Sequence, residues 1–396
     1  MLFRSDLRKA LDPNAATLGD IPAFDVVLAN RLYAALLQPV EAGWKDAGSL
    51  LVVPHGSLGQ LPFSVLVTAP AQAPADREGQ AMFAGYRNVP FLARTAAITQ
   101  LPSVASLGSL RALPPPRGER QAFIGFGDPW FSPQQAAEAA RETQVAQLQT
   151  RGARTLMQTR GVPLVRRNAP TTQSIDSAEL AQLPRLPDTA DEVRSIALAL
   201  NADPTRDVFV GREANERRVR SMDISNRKVV MFATHGLIPG DLNGLTQPAL
   251  ALSAPDVADI DGDGLLTLDE VLALKLNADW VVLSACNTAT GDGAGAEAVS
   301  GLGRAFFYAG TRALLVSNWP VETNSARELT TDLFRRQAQN PLLARAEAMR
   351  QAMVGLIDGP GYVDPDSRQA VFSYAHPIFW APFSLVGDGG GAQPGG

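Results

Sequence analysis

Two short stretches hold residues that could do covalent chemistry together. One, Lys228-Val229-Val230-Met231-Phe232-Ala233-Thr234-His235-Gly236, ends beside a histidine. The other, Trp280-Val281-Val282-Leu283-Ser284-Ala285-Cys286-Asn287-Thr288, carries the single cysteine of a chain that has only three histidines. A thiol of ordinary pKa is mostly protonated at neutral pH, and the thiolate is the nucleophile. An imidazole at its side can take that proton and later hand it to a leaving amine. The tetrahedral intermediate then needs donors for its oxyanion, and the backbone N–H groups of Cys286 and Gly236 are the candidates. Gly236 has no side chain to obstruct a substrate. The same residues also fit a plainer account, with Cys286 a buried small hydrophobe and His235 a satisfied turn residue.

Such chemistry needs both groups at one place. Each stretch is a short apolar run rich in β-branched or aromatic residues, stopped by small and polar ones. That is the pattern of a strand buried on both faces of a parallel sheet. Reactive groups in such sheets collect at the carboxyl edge. The flanking segments support the same reading: strands at Ser49–Val53, Ala122–Gly127, Val208–Gly211 and Arg312–Val316 alternate with helical patterns, which predicts an α/β fold with a mostly parallel sheet flanked by helices. A helix opens at Asp188 with acids in its first turn, and Ile196, Leu198 and Leu200 are assigned to its apolar side. His55, at the end of another strand, has no cysteine, acid or second histidine nearby and reads as a turn histidine. The expected organisation is an N-terminal α/β half over 1–115, a strand and polar insertion over 116–187, a second α/β half carrying both stretches over 188–387, and a disordered Gly-rich tail over 388–396.

A net charge of −5 without any basic cluster argues against a nucleic-acid partner. No apolar run approaches the ~20 residues needed to span a bilayer. The first residues lack the apolar core of a signal peptide, and one cysteine makes no internal disulfide, so the cytoplasm is the expected location. Serine-hydrolase and P-loop motifs do not occur. Gly293 to Ala298 matches a dinucleotide fingerprint only loosely, with no acid at the end of the next strand.

A second motif lies between the two stretches. Asp259, Asp261 and Asp263, with Gly264 and then Glu270, satisfy an EF-hand loop at positions 1, 3, 5, 6 and 12. Calcium is the cofactor this pattern would take. Against it, a strand and not a helix is read before the loop, and an acidic turn capping the following helix explains the same residues.

Phe232-Ala233-Thr234-His235-Gly236 and Val282-Leu283-Ser284-Ala285-Cys286-Asn287-Thr288 resemble the two signature blocks of the CHAT domain, a caspase-like, separase-related family often fused to TPR arrays. Further blocks resemble the family in order: Val52 to Leu58, Leu61-Pro62-Phe63, Asp263 to Thr267, Gly301 to Gly310, Ser317 to Val321, and His376 to Phe383. The separation, 286 − 235 = 51 residues, is near the His-to-Cys spacing of caspases. The resemblance implies a caspase-hemoglobinase fold and cysteine endopeptidase activity, with His235 as general base and Cys286 as nucleophile. It also implies that no third catalytic group is needed. Three positions depart from the pattern: His55 where many members have Asp, Ala296 where they have Gly, and Ser284 where metacaspases carry an acid that binds a basic P1 side chain. A preference for Arg or Lys therefore does not carry over. No TPR period is present, so the sensor expected of such a domain is a separate protein or is absent from this chain. The rival account is a catalytically silent caspase-like scaffold that binds a partner.

Overall fold

The computed structural model describes residues 2–11, 15–72, 74–75, 79–114, 118–148, 164, 180–284, 294–364 and 367–390. Its strands are β1 (Ser49–Val52), β2 (Ala97–Gln100), β3 (Gln121–Gly127), β4 (Val208–Val210), β5 (Arg227–Ala233), β6 (Gly236–Leu237), β7 (Ala249–Ala251), β8 (Leu265–Thr267), β9 (Trp280–Leu283), β10 (Ala313–Ser317), β11 (Tyr362–Val363), β12 (Ala370–Phe372) and β13 (Phe383–Gly387). Eight of them form one sheet in the order β1-β2-β13-β10-β9-β5-β3-β4. The pairs β1/β2, β2/β13, β3/β4, β3/β5 and β5/β9 are parallel. Helices flank this sheet, so the mixed α/β architecture is the one expected. β6, β7 and β8 make a separate antiparallel sheet. The run at Ala249 therefore belongs to that small sheet and not to the main one.

The described residues cluster into two compact units, one within 2–114, 164 and 315–390, the other within 118–148, 180–284 and 294–314. In the second unit, β5 is buried from Val229 to Ala233 and β9 along its whole length. Phe126 on β3 stacks between Phe209 and Phe232, with ring centroids 5.4 Å away on each side. Each such ring contributes roughly 2–3 kcal/mol by leaving water. The helix Asp188–Ala199 packs on β3, where a side chain at Gly127 would press against Val193 and the Thr189 carbonyl. Its buried face is Thr189, Ala190, Glu192, Val193, Ile196 and Ala197, whereas Leu198 is 63% exposed. The assignment of Leu198 to the apolar side was a period error, because residues two apart fall on different faces of a helix.

In the first unit the Gly-rich end is held further than expected. Arg345 donates to the Asp388 carbonyl and pairs with its carboxylate at 3.0 Å, and the Ala346 N–H donates to Gly389. Residues 387–390 are thus tied down, and 391–396 lie outside the described residues.

The same unit buries His376 completely among Phe24, Phe83, Tyr86 and Phe379. Its Nδ1 accepts from the Ile378 N–H and its Nε2 faces the Pro22 carbonyl, so the ring caps the helix Pro377–Trp380 in its neutral form. Burial holds its pKa down, to about 3. Below about pH 6.5 the unfolded chain binds a proton that the folded chain refuses, so this residue's contribution is complete above that pH and is lost as pH falls toward 3. Unfolding free energies from urea titrations are expected to drop by up to ~1.4 kcal/mol per pH unit from this group between pH 6 and 4. His376→Asn, which keeps a capping side chain, should flatten that slope.

Candidate active site

The register of β5 against β9 sets the geometry. Val229 pairs with Trp280, and Phe232 with Leu283. The ladder continues one step past β9, since the Ser284 N–H donates to the Phe232 carbonyl at 3.0 Å. His235 follows Phe232 by three residues, and Cys286 follows Leu283 by three. Cys286 itself, with 285 and 287–293, lies outside the described residues.

His235 is fully buried. Its Nε2 lies 2.7 Å from the Pro184 carbonyl oxygen. A carbonyl can only accept, so Nε2 carries the proton and Nδ1 is the basic nitrogen. The Phe131 ring packs beside it at 5.6 Å between centroids. Phe131 belongs to an apolar cluster with Leu183, Leu237, Leu242, Leu245, Ala249 and Ala251. The small sheet fixes the backbone on either side: Thr234 Oγ1 donates to the Ala251 carbonyl at 2.6 Å, and the Ala251 N–H donates to the His235 carbonyl at 2.9 Å. Antiparallel pairs alternate between hydrogen-bonded and not. With 235 and 251 bonded, the next pair, Gly236 and Leu250, is of the other kind, and the Gly236 N–H turns away from β7.

The sequence reading passed over the residues that hold this histidine. The sequence predicts a strand and polar insertion over 116–187, yet its end at 180–187 packs against the ring and its apolar surroundings. Arg185 makes a two-toothed ion pair with Asp128 at 2.8 Å per tooth and a third bond to Glu142 at 2.7 Å. Burial is the largest influence on Asp128 and lifts its carboxyl above the usual range; the Arg185 guanidinium pulls the other way. The signal available in the sequence was Leu183-Pro184-Arg185-Leu186-Pro187, where two prolines stiffen a segment around a lone cation.

A second unforeseen group is Glu192. It is fully buried on the helix Asp188–Ala199, and Ser284 Oγ donates to its carboxylate at 3.0 and 3.2 Å from the two oxygens. Ser284 thus spends its hydroxyl inward, on a charge supplied by another element. His55, in contrast, is exposed at the start of the turn Gly56–Gln60.

The Asp-rich loop does not form a cation cage. Among the described residues no three acids, histidines or cysteines gather as metal ligands do. Asp259 ends the one-turn helix Pro255–Ala258 in a left-handed conformation, and Asp263 accepts from the Leu265 N–H at 2.9 Å. Glu270, the ligand expected at position 12, is used elsewhere. One oxygen accepts from the Thr267 N–H and hydroxyl in a capping box, and the other pairs with Arg220 at 3.0 Å. As arranged, the carboxylates do not fit a calcium ion, whose ligands must converge at about 2.4 Å. The geometry is that of a capped helix.

Comparison with known proteins gives the following. A family model of the CHAT domain matches residues 26–388. Tetratricopeptide repeat protein 28 of Mus musculus is 27% identical over 231 residues, and that of Homo sapiens 29% over the same length. These matches span 51% of the chain but only 8% of either relative. Among solved structures, the Saccharomyces cerevisiae separase–securin complex is similar at a TM-score of 0.35 and 12% identity, over 76% of this chain and 14% of that one. The Arg-specific cysteine proteinase gingipain R is similar at 0.30 and 12%, over 50% and 41%. Both are distant likenesses.

Two substitutions test the local ties. Thr267→Ala should cost about 1 kcal/mol of stability through loss of its part in the capping box. Ser284→Ala should cost about 1–3 kcal/mol by withdrawing a donor from a buried carboxylate. Chemical denaturation against the parent reads both.

Proposed function

We propose that this chain, which belongs to the CHAT domain family, is a cysteine endopeptidase working through His235 and Cys286. The family supplies the caspase-like, cysteine-peptidase type of fold. What most supports catalysis is the His235 ring, whose Nε2 proton is held by the Pro184 carbonyl, leaving a basic Nδ1 just past the end of β5, a strand paired in parallel with the one that precedes Cys286 in sequence.

In this reading the Cys286 thiol gives its proton to His235 Nδ1 and the sulfur attacks the scissile carbonyl carbon. The carbonyl π electrons move onto oxygen, where the N–H groups of Gly236 and Cys286 receive the charge. The tetrahedral adduct collapses, the C–N bond breaks, and the imidazolium returns its proton to the departing amine. Water, deprotonated by the same ring, then splits the thioester and regenerates the thiol. Pro184 does no chemistry; it keeps the ring in the tautomer that can accept. Control by calcium would require Glu270 to leave the Thr267 capping box and Arg220, its partners here.

The curated relatives are named for tetratricopeptide repeats, and we assign control of this domain to such a repeat array acting as sensor. The substrate is a protein.

Peptide-library cleavage read by mass spectrometry tests the proposal. Cleavage is expected from the parent and a loss of at least about a hundredfold from Cys286→Ala and from His235→Ala. Equal cleavage by parent and Cys286→Ala would refute the dyad. If the parent is silent, iodoacetamide decides: alkylation faster than that of a model thiol supports the activated cysteine, and alkylation as slow as a buried thiol's favours the scaffold.

A further inference from the structure

We propose that the Asp128–Arg185 ion pair is a positioning device for His235, holding the Pro184 carbonyl where it selects the ring tautomer. This rests on the peptidase reading for its purpose, but its geometry stands apart from Cys286.

Residues 183, 185 and 186 around Pro184 are all anchored. The Leu183 carbonyl accepts from Gln135 Nε2 at 2.7 Å. Arg185 is clamped by both oxygens of Asp128, and also by Glu142. The Leu186 carbonyl accepts from Thr189 Oγ1 at 2.7 Å, and that hydroxyl oxygen accepts from the Asp128 N–H, also at 2.7 Å. Two of these anchors converge on one residue, directly past the end of β3. Proline adds stiffness of its own: its φ is fixed, so the direction of the 184 carbonyl follows from its neighbours.

Asp128 has a φ of 45°, in the left-handed region that few non-glycine residues occupy. Aspartate tolerates it better than most. Its carbonyl accepts from the Gly211 N–H at 3.0 Å, which locks the turn from a third side. In this conformation a single residue sends its carboxylate to Arg185 and its N–H to Thr189. A guanidinium suits the role because its planar fork meets a carboxylate along two parallel bonds and so fixes orientation, which an ammonium does not. The clamp therefore transmits the position of β3 to a carbonyl, and through it to the proton on His235.

The test is a tautomer measurement. With three histidines in the chain, ring ¹⁵N spectra of histidine-labelled protein are simple, and His→Gln variants assign them. At pH 7.5 the parent is expected to show His235 protonated at Nε2 and not at Nδ1. Arg185→Lys keeps the charge but loses the fork, and Asp128→Asn keeps the shape but loses the charge; circular dichroism identifies which of them folds. In folded variants His235 should average between tautomers, while His376, held by Pro22, stays protonated at Nε2 as an internal reference. Iodoacetamide alkylation of Cys286 at pH 7 should slow by about tenfold, a fraction of the ~10⁴-fold loss seen when a direct tautomer-setting partner is removed. A His235 spectrum identical to the parent's in both folded variants would overturn the positioning role. A tautomer shift in variants of a parent whose thiol is no faster than a model thiol would uphold the positioning role and overturn the dyad instead.

Discussion

Parallel pairing of β5 with β9 is the constraint from which the rest follows. In a parallel ladder both strands end at the same edge, so residues equally far past a paired position arrive level. Phe232 opposite Leu283 therefore brings the carboxyl ends of β5 and β9 to one edge of the sheet, despite the chain that separates them. Had β9 slipped by one against β5, the two faces of β9 would have exchanged. The apolar sandwich and the alignment of the two ends are one condition.

That edge is also where the interior turns polar. His235, Thr234, Ser284 and Glu192 are all buried, and each buried donor or acceptor left unmatched would cost on the order of 1–3 kcal/mol. The molecule meets this demand with groups from several elements: a carbonyl from the 180–187 segment, another from β7, and a carboxylate from the helix Asp188–Ala199. A buried polar edge has to be wired from outside its own strands. This is why a segment remote in sequence contributes to it.

The strands, their parallel sense and the two blocks at their ends were legible in the sequence, because a doubly buried strand imposes a continuous apolar run and its end imposes small polar residues. The CHAT resemblance was carried by the same blocks. What escaped was tertiary by nature. Pro184 acts through its carbonyl, which every residue has, so composition cannot mark it. Arg185 and Asp128 lie 57 residues apart and become partners only once β3 and the 180–187 segment are packed. Leu198 misled because strand spacing was applied to a helix. Glu270 misled differently: the same glutamate that closes an EF-hand loop also closes a capping box, and Arg220, fifty residues away, draws its second oxygen. Two local motifs competed for one side chain, and a long-range cation decided between them.

The pairing of Gln100 on β2 with Val386 on β13 carries a consequence for biosynthesis. One unit needs strands from near both extremes of the chain, while the other is complete once residue 314 has been made. Domains close as units while the chain emerges, and contacts between distant segments form late. The unit that carries His235 can thus assemble on the ribosome while its companion still lacks β13. An interval follows in which the early residues 49–100 are synthesised but unsheltered, with β2 lacking the strand that will lie beside it. The order of translation, and not only the final packing, thus decides which half waits longest for its last strand.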